Sequence, residues 1–237
     1  MLINNINISQ FGAKLVKKTL GTSEIIVNKE LLKSISSSII LSVDEENAIL
    51  QCIFLIEADT LQSLEELKSH FVKQLEVSIL KFDDLDFYYP CTIQGLSNDY
   101  VGIDTTSDKH IGKIECILLS DYKYKTEISE NINRLASKTI NVSGNKDTPA
   151  IVEITPSISL VDLIITGLAD DSITIKNLTA GKKIIINGED GTVLENGINK
   201  FGDTDLWEWP RLKAGSNSIT VSKNSCDITI KYKPRYI

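Results

Sequence analysis

The sequence predicts a mainly β protein with some α, built as an N-terminal α+β domain followed by a C-terminal β-sandwich. Three observations predict this fold class. The first 142 residues mix one helical stripe with β segments. A small polar cluster, SGNKDTPA at 143–150, then separates periodic segments in the way that interdomain connections do. From 151 to 237 short β segments alternate with turns, without helical periodicity.

The N-terminal elements follow from changes of period. ILQCIFLIE at 49–57 is an apolar run too short for a helix and predicts a largely buried strand. Residues 60–75 predict an amphipathic helix that begins at Asp59 or Thr60. Its apolar stripe consists of Leu61, Leu64, Leu67, Phe71 and Leu75. Further strands are predicted at 76–82, 86–95 and 113–124.

The C-terminal elements are seven short β segments separated by Asp-, Asn- and Gly-containing turns. They are AIVEITPSIS, VDLIITGL, DSITIKNL, KKIIIN, GTVLEN, NSITVS and CDITIKYK. The clearest hairpin is KKIIINGEDGTVLENG at 182–197, because Asn187, Gly188 and Gly191 tolerate the positive φ of tight reversals. This spacing of strands and turns is typical of an antiparallel sandwich.

Composition and charge exclude several function classes. The chain has 237 residues, 42% hydrophobic, which suffices for two ordinary cores. The net charge is −7, and acidic side chains outnumber basic ones by 20 to 14 in residues 1–145 and by 12 to 11 in residues 146–237. A nucleic-acid partner is therefore not expected. Because no segment has the length and hydropathy of a membrane helix or a signal peptide, we expect a soluble protein made in the cytoplasm without membrane insertion.

Cysteine and histidine patterns point to no metal, cofactor or catalytic group. Cys52, Cys91, Cys116 and Cys226 lie far apart without a CxxC motif, and we expect buried free thiols. We expect His70 on the helix and His110 in a loop, both as surface residues that pair with no nucleophile. Three sequons, at Asn7, Asn141 and Asn177, carry no glycan argument without a secretory route.

The two tryptophans, Trp207 and Trp209, allow three interpretations. Alternate residues of a strand share a face, so the two rings could form a sugar-stacking platform, or that face could be the inner one. Alternatively, the neighbouring Asp203, Asp205 and Glu208 could supply a general acid and base, as glycoside hydrolysis requires. Large aromatic residues in small β domains are most often core, and we therefore expect both rings to pack inside the sandwich.

The C-terminal sequence resembles a known family. The run TDLWEWPRLKAGSNSITVSKNSCDITIKYKPRY at 204–236, with its closing Tyr-x-Pro-Arg-aromatic stretch at 232–236, resembles the end of phage distal tail proteins. KKIIINGEDGTV looks like the hairpin that precedes it in that family. In the N-terminal part, EELKSHFVKQL, ILKFDDLDFYYPCTIQG and KIECILLSDYKYKTE resemble the family's helix and strands. SISSSIILSVDEENAIL at 34–50 occupies the region where the family often has an Arg-Asp-Gly type of segment.

The resemblance implies an architecture and a role. Residues 1–142 would form a belt-forming domain, 143–150 a linker, and 151–237 a galectin-like β-sandwich. Copies of the chain, six by the family's pattern, would close into a ring that joins the tail tube to the tail tip. The implied partners are the tail tube protein, the tape-measure protein and the tail-tip or baseplate hub protein. The implied location is the virion of a phage or phage-like particle, and the implied function is structural, not enzymatic. The alternative is a carbohydrate-binding module that recognises host cell-wall polysaccharide through the C-terminal domain.

Overall fold

The computed structural model describes residues 1–32 and 37–237 and divides them into two compact units. The front unit spans Met1–Lys123 together with Ile237, and the back unit spans Tyr124–Tyr236. The units therefore divide earlier than the linker predicted at 143–150, because strands at 128–131 and 137–142 pair within the sheets of the back unit. Of the segment 34–50 named above, residues 34–36 lie outside the described residues.

The front unit contains one α-helix, α1 (Leu61–Leu75), a short 3₁₀ helix (Ile8–Phe11) and antiparallel strands. The strands are β1 (Leu2–Ile3), β2 (Ile6–Asn7), β3 (Ala13–Leu20), β4 (Ile25–Leu32), β5 (Ser37–Glu45), β6 (Ala48–Ala58), β7 (Val77–Lys81), β8 (Tyr88–Asp104) and β9 (Lys109–Ser120), and β10 (Lys123–Tyr124) follows at the boundary.

The main sheet of the front unit has the strand order β2-β1-β7-β8-β9-β6-β3, and α1 covers one of its faces. The residues of β6 explain this packing, because alternate side chains from Leu50 to Ala58 are buried toward α1. Phe54 and Phe71 meet edge to face in this core, with ring centroids 4.9 Å apart. The front core is thus an amphipathic helix packed on one face of a sheet.

Helix α1 begins where the sequence predicts. Thr60 is the N-cap, and its Oγ1 accepts a hydrogen bond of 3.1 Å from the backbone N of Ser63. Leu64, Phe71 and Leu75 are fully buried, and Leu67 is partly buried against the same core. Leu61, however, is 48% exposed, so the predicted apolar stripe is buried only from Leu64 onward.

Strands β4 and β5 form a separate two-stranded hairpin that belongs to none of the three larger sheets. Strand β8 continues nine residues beyond the predicted end at Gly95 and pairs with β9 as far as Asp104 and Lys109. His110 consequently lies in β9 and not in a loop, which corrects the prediction. Strand β8 is longer than predicted because it pairs with β9 along this extension. Such long-range pairing is not encoded in the local sequence.

The back unit contains a second short 3₁₀ helix (Phe201–Asp203) and thirteen strands. The strands are β11 (Ile128–Asn131), β12 (Ser137–Val142), β13 (Thr148–Pro156), β14 (Leu160–Thr166), β15 (Ile173–Leu178), β16 (Ile184–Asn187), β17 (Thr192–Glu195), β18 (Ile198–Asn199), β19 (Thr204–Asp205), β20 (Arg211–Leu212), β21 (Gly215–Val221), β22 (Cys226–Tyr232) and β23 (Arg235–Tyr236).

Two antiparallel sheets of the back unit face each other. One has the order β11-β22-β13-β16-β17-β18, and the other has the order β12-β21-β14-β15-β19. Inward side chains of both sheets form one core, which includes Val152, Ile154, Leu163, Ile175 and Ile228. The back unit is therefore a β-sandwich, and the predicted fold class, mainly β with some α, is confirmed.

Candidate interaction surfaces

The structure separates the two tryptophans. Trp207 is 86% exposed, so the prediction that its ring packs inside the sandwich is wrong. Trp209 is partly buried against the sandwich core and also contacts Phe201, so packing is confirmed for that ring. Strand β19 ends at Asp205, so the simple alternation that would place residues 207 and 209 on one face does not continue through them. A platform made of both rings is not formed.

The three carboxylates near the tryptophans each bind a different neighbour. Asp203 accepts hydrogen bonds from Asn177 Nδ2 at 3.1 Å and from Lys200 Nζ at 3.1 Å, and these two donors hold the pKa of Asp203 below its usual value. Asp205 accepts a 2.8 Å bond from Lys176 Nζ.

Glu208 has partners of its own. Its Oε2 accepts a 3.0 Å hydrogen bond from the backbone N of Asp170 and lies 3.2 Å from the guanidinium of Arg211. Each of the three acids thus takes part in a separate local contact that joins segments of the sandwich. This arrangement ties the loops together, and it differs from a pair of acids facing one substrate position.

The cysteines are buried free thiols, as predicted. Burial raises the pKa of the Cys91 thiol to about 12, which keeps it protonated and unreactive at neutral pH. His70 is exposed on α1, and His110 Nδ1 lies 2.9 Å from the hydroxyl of Tyr100. Within residues 1–32 and 37–237, no three His, Cys, Asp or Glu side chains converge in a way that could hold a metal ion.

The hairpin β4–β5 carries an exposed apolar face. Directly opposed residues share a face, and Val27 pairs with Val43 while Ile25 pairs with Glu45 and Lys29 with Ile40. The apolar members of this set, Ile25, Val27, Ile40 and Val43, are between 43% and 61% exposed. We call these four residues the ribbon face.

The opposite face of the hairpin carries the exposed Ile26 and Ile39 together with three hydrogen-bonded polar residues. Asn28 Nδ2 donates to Ser42 Oγ at 3.0 Å and to Asp44 Oδ2 at 2.9 Å. Ser42 Oγ also donates to Asp44 Oδ2 at 3.0 Å. The polar groups of this face are therefore satisfied within the hairpin, whereas apolar side chains are open to solvent on both of its faces.

A second exposed apolar surface lies on the main sheet of the front unit, opposite α1. Ile49 pairs with Leu119, Leu119 with Thr92, and Thr92 with Val77, so one cross-strand row runs over four strands. Ile79 and Ile117 lie on the same face. Val77 is 76% exposed and Ile49, Ile79 and Ile117 are also exposed. We call this surface the outer face. A groove of about 360 Å³ crosses it beside Gly95 and Ile117.

Sequence reasoning missed both surfaces. The runs Ile25-Ile26-Val27 and Ile39-Ile40-Leu41 are apolar at every position. They therefore lack a regular period of two and do not show which face of each strand is open to solvent. The outer face could have been found from β6, where Ile49, Gln51, Ile53 and Leu55 alternate with the buried set. In the sequence of β6, however, both sides of the strand are mostly apolar, so the exposed side resembles a buried one.

No helix in the described ranges is long and apolar enough to cross a membrane.

Comparisons with known proteins agree with this architecture. Residues 143–236 match the family model of the siphovirus-type tail component, C-terminal domain. The whole chain has the fold of SPP1 Dit, whose crystal structure it matches with a TM-score of 0.76 at 12% identity over 100% of this chain and 98% of that one. The phage P2 baseplate, in its activated conformation with Ca, matches with a TM-score of 0.54 at 11% identity over 95% and 92% of the two chains. No curated protein sequence matches the chain.

Residues 143–236 thus carry the C-terminal domain of siphovirus-type tail components, and the class that this domain defines is that of structural phage-tail proteins, which are part of the virion. Within that class the chain resembles the distal tail proteins, and this resemblance, predicted from the sequence, is confirmed by the family model and by the fold shared with SPP1 Dit.

Proposed function

We propose that the chain is a distal tail ring protein. In this proposal six copies associate head to tail through the front unit into a closed ring, and the ring joins the tail tube to the tail tip. The back unit, a sandwich of the galectin-like type, lies on the outside of the ring. The fold shared with SPP1 Dit, which is described as a paradigm of the hub of the adsorption apparatus in phages infecting Gram-positive bacteria, supports this assignment.

The single observation that carries the proposal is the bare ribbon face. An isolated two-stranded hairpin is at best marginally stable in water, and this one leaves four β-branched side chains about half exposed. Burial of apolar area contributes about 25 cal/mol per Å², so covering this face would stabilise the hairpin. We infer that another chain covers it in the assembled particle.

A second copy of the chain offers a suitable cover. Each copy carries both a ribbon face and an outer face, which are different patches of one molecule. When one patch binds a different patch of the next copy, the contact is heterologous and generates a ring if the rotation closes. Identical copies thus supply donor and acceptor surfaces in equal number.

The proposed partners follow from the ring's position in a tail. We infer contacts with the tail tube protein and the tape-measure protein on one side and with the tail-tip or baseplate hub protein on the other. The role is structural, and it requires neither a catalytic group nor a cofactor from the chain.

The test is the mass and shape of the purified protein. Size-exclusion chromatography with light scattering and negative-stain imaging should show a closed ring of six copies. Val43→Asp on the ribbon face should release monomers, because a charge buried without a partner opposes the contact. Val161→Asp is the matched control: Val161 is 80% exposed in the back unit, and this variant should still form the ring.

Two outcomes would contradict the proposal. The parent protein could remain monomeric at high concentration and also after mixing with its tail tube partner. Alternatively, the Val43→Asp and Val161→Asp variants could assemble equally well, which would show that the ribbon face takes no part in the ring.

A further inference from the structure

Two of the free cysteines lie directly opposite each other in the main sheet of the front unit. In the antiparallel pair β6–β9, Cys52 is the register partner of Cys116. Both side chains belong to the core of the front unit, where Cys52 is 0% and Cys116 2% exposed. Cys116 Sγ lies 3.6 Å from the carbonyl oxygen of Cys52, although the two residues are 64 positions apart in the chain. The fold thus makes neighbours of two thiols that the sequence keeps apart.

This register meets the distance requirement of a disulfide bond. Directly opposed residues of an antiparallel pair have Cα atoms about 4.5 or 5.5 Å apart, and disulfide-bonded cysteines have Cα atoms about 4.4 to 6.8 Å apart. The Cβ atoms of opposed residues, about 4.5 to 5.5 Å apart, need to approach by about 1 Å at most. The thiols of Cys52 and Cys116 already hydrogen-bond to each other. Closure of the bond therefore requires only a small local movement.

The other two cysteines have no such partner. Four cysteines allow about three complete pairings, between which a sequence alone does not decide. Cys91 lies opposite Ser78 in β7–β8, and Cys226 lies opposite Pro156 in β13–β22. Within residues 1–32 and 37–237, Cys52 and Cys116 are thus the one pair of cysteines that strand pairing brings face to face.

A phage-tail protein passes between two redox environments. It is made inside a cell, where glutathione and thioredoxin keep thiols reduced, and the released virion persists in surroundings without these systems. The domain matched by residues 143–236 belongs to such particles. A disulfide that joins residues distant in the chain restricts the unfolded state strongly and so stabilises the folded one. The position of Cys52 and Cys116 therefore offers a stabilising bond that becomes available outside the cell.

We propose that Cys52 and Cys116 are the site of a disulfide bond that forms after the virion leaves the reducing interior of the cell, with a low-molecular-weight disulfide as the oxidant. The bond would link β6 to β9, which are adjacent strands of the main sheet. These strands carry Ile49 and Ile117 of the outer face, so the bond would also fix the strands beneath that surface. The proposal rests on the strand register and does not require the ring.

The bond forms by two thiol–disulfide exchanges. The thiolate of one cysteine attacks a sulfur of the small disulfide, whose S–S bond breaks, and the small thiolate that leaves takes up the proton that the cysteine lost. The second cysteine then loses its proton, and its thiolate attacks the protein sulfur of the mixed disulfide. The second small thiolate leaves and is protonated. Two protein thiols are thereby oxidised by two electrons to one disulfide, and one small disulfide is reduced to two thiols.

The folded chain should form this bond slowly. The hydrogen bond with Cys116 and burial both raise the pKa of the Cys52 thiol above its ordinary value, so little thiolate is present at neutral pH. Because both sulfurs are buried, the oxidant reaches them only when the core opens locally. Uncatalysed exchange of this kind takes minutes to hours, and the same burial would later protect the bond from reduction.

The experiment follows the thiols of the reduced full-length protein during incubation with oxidised glutathione for several days. The thiols that remain are alkylated in urea, and the intact mass and the tryptic peptides are then measured by mass spectrometry. Two of the four cysteines should escape alkylation, and the protein should lose two hydrogen atoms without gaining glutathione. One cross-linked peptide should contain both Cys52 and Cys116.

Single replacements identify the pair. Cys52→Ala and Cys116→Ala should each form no disulfide and keep every remaining thiol open to alkylation in urea, because the partner thiol is left without an opposed cysteine. Cys91→Ala and Cys226→Ala are the matched controls. Each of them removes a buried cysteine outside the pair, and each should still form the bond.

Thermal melting with and without a reductant measures what the bond does to stability. The oxidised parent should melt about 5 °C or more above the reduced parent, and Cys52→Ala should show no such difference. The proposal is overturned if all four thiols of the parent remain open to alkylation, if the main cross-link joins other cysteines, or if glutathione stays attached to Cys52 or Cys116. It is equally overturned if the oxidised parent melts no higher than the reduced one. None of these results bears on the mass of the ring, so the two proposals fail separately.

Discussion

The ring of Trp209 lies against the ring of Phe201, with centroids 5.8 Å apart and planes inclined by 34°. The same indole covers Gly191, where an added Cβ would lie 3.4 Å from Cε2 and Cζ2. Gly191 has φ +70, a conformation that few other residues adopt, so the tight turn and the ring above it depend on each other. Trp209 therefore closes one end of the sandwich core.

Replacing the two tryptophans should have opposite effects. Trp209→Ala should lower the free energy of unfolding by about 2 to 4 kcal/mol, because it removes a packed ring and leaves a gap over Gly191. Trp207→Ala should change it by less than about 0.5 kcal/mol, since that ring is exposed. Urea unfolding followed by circular dichroism measures both. Equal losses in the two variants would show that Trp207 is also packed.

Lys200 joins the two sheets of the sandwich through a buried ammonium group. Its Nζ donates to Asn177 O at 3.0 Å and lies 3.5 Å from Glu195 Oε1, while its side chain is 7% exposed. Lys200→Met should destabilise the back unit by about 1 to 3 kcal/mol, because buried acceptors lose their donor. Lys176→Met removes an exposed pair with Asp205 and should cost less than about 1 kcal/mol. If Lys176→Met lowers the free energy of unfolding as much as Lys200→Met does, the burial of Lys200 does not explain the loss of stability.

Stability should fall in acid partly because of Glu153. Burial raises the pKa of this carboxyl, but hydrogen bonds from Lys183 and Lys231 outweigh it, and the net shift is below the ordinary value of 4.5. A depressed folded-state pKa stabilises the fold above the unfolded pKa, and that contribution is lost as the pH falls through the folded value. Melting temperatures from pH 7 to pH 3 should thus show a gap between the parent and Glu153→Gln that closes toward pH 3. A gap that is constant with pH would rule out this linkage.

Gly112 leaves room for the buried side chain of Lys68 on α1. An added Cβ at Gly112 would lie 2.8 Å from Lys68 Cδ and 3.3 Å from Leu64 Cδ1, and Lys68 is 3% exposed. Gly112→Ala should therefore destabilise the front unit by about 1 to 3 kcal/mol through overpacking. Gly95→Ala is the matched control, because the nearest atom to its Cβ would be at an ordinary 3.7 Å. Thermal unfolding of both variants measures the two effects. A Gly112→Ala variant as stable as the parent would contradict the close packing of Gly112 against Lys68.

The limits of the back unit can be tested with two fragments. Residues 124–237 include β11 and β12, together with Ile132, Ile140 and Val142 of the sandwich core. This fragment should show a β-type spectrum and a cooperative melt. Residues 146–237, the fragment suggested by the predicted linker, lack those three core side chains and should melt at a lower temperature or not cooperatively. Equal stability of the two fragments would favour the boundary at 143–150.

Local periodicity was enough to predict much of the fold. The apolar stripe from Leu61 to Leu75 predicted α1, because a helix buries residues at intervals of three and four. Of the two predicted starts, Asp59 and Thr60, the structure shows Thr60 as the N-cap. In the same way, alternation in CDITIKYK predicted β22, whose inward side chains from Cys226 to Tyr232 are all buried. Such patterns record which side of an element is buried, and this information is present in the order of the residues.

The candidate sites were less accessible to this reasoning. Trp207 and Trp209 are two residues apart and would share a face of a regular strand, but β19 ends at Asp205 and the chain then turns. Leu206 takes the inward position, so Trp207 is left in solvent.

The sequence by itself determined the secondary structure of the best-patterned segments, the mainly β fold class and the resemblance to distal tail proteins, since these depend on residue order alone. The tertiary structure decided where the units divide, which tryptophan is exposed and which apolar faces stay bare. These features depend on long-range strand pairing, because a side chain's environment is set by the strand that lies opposite it and not by its neighbours in the chain.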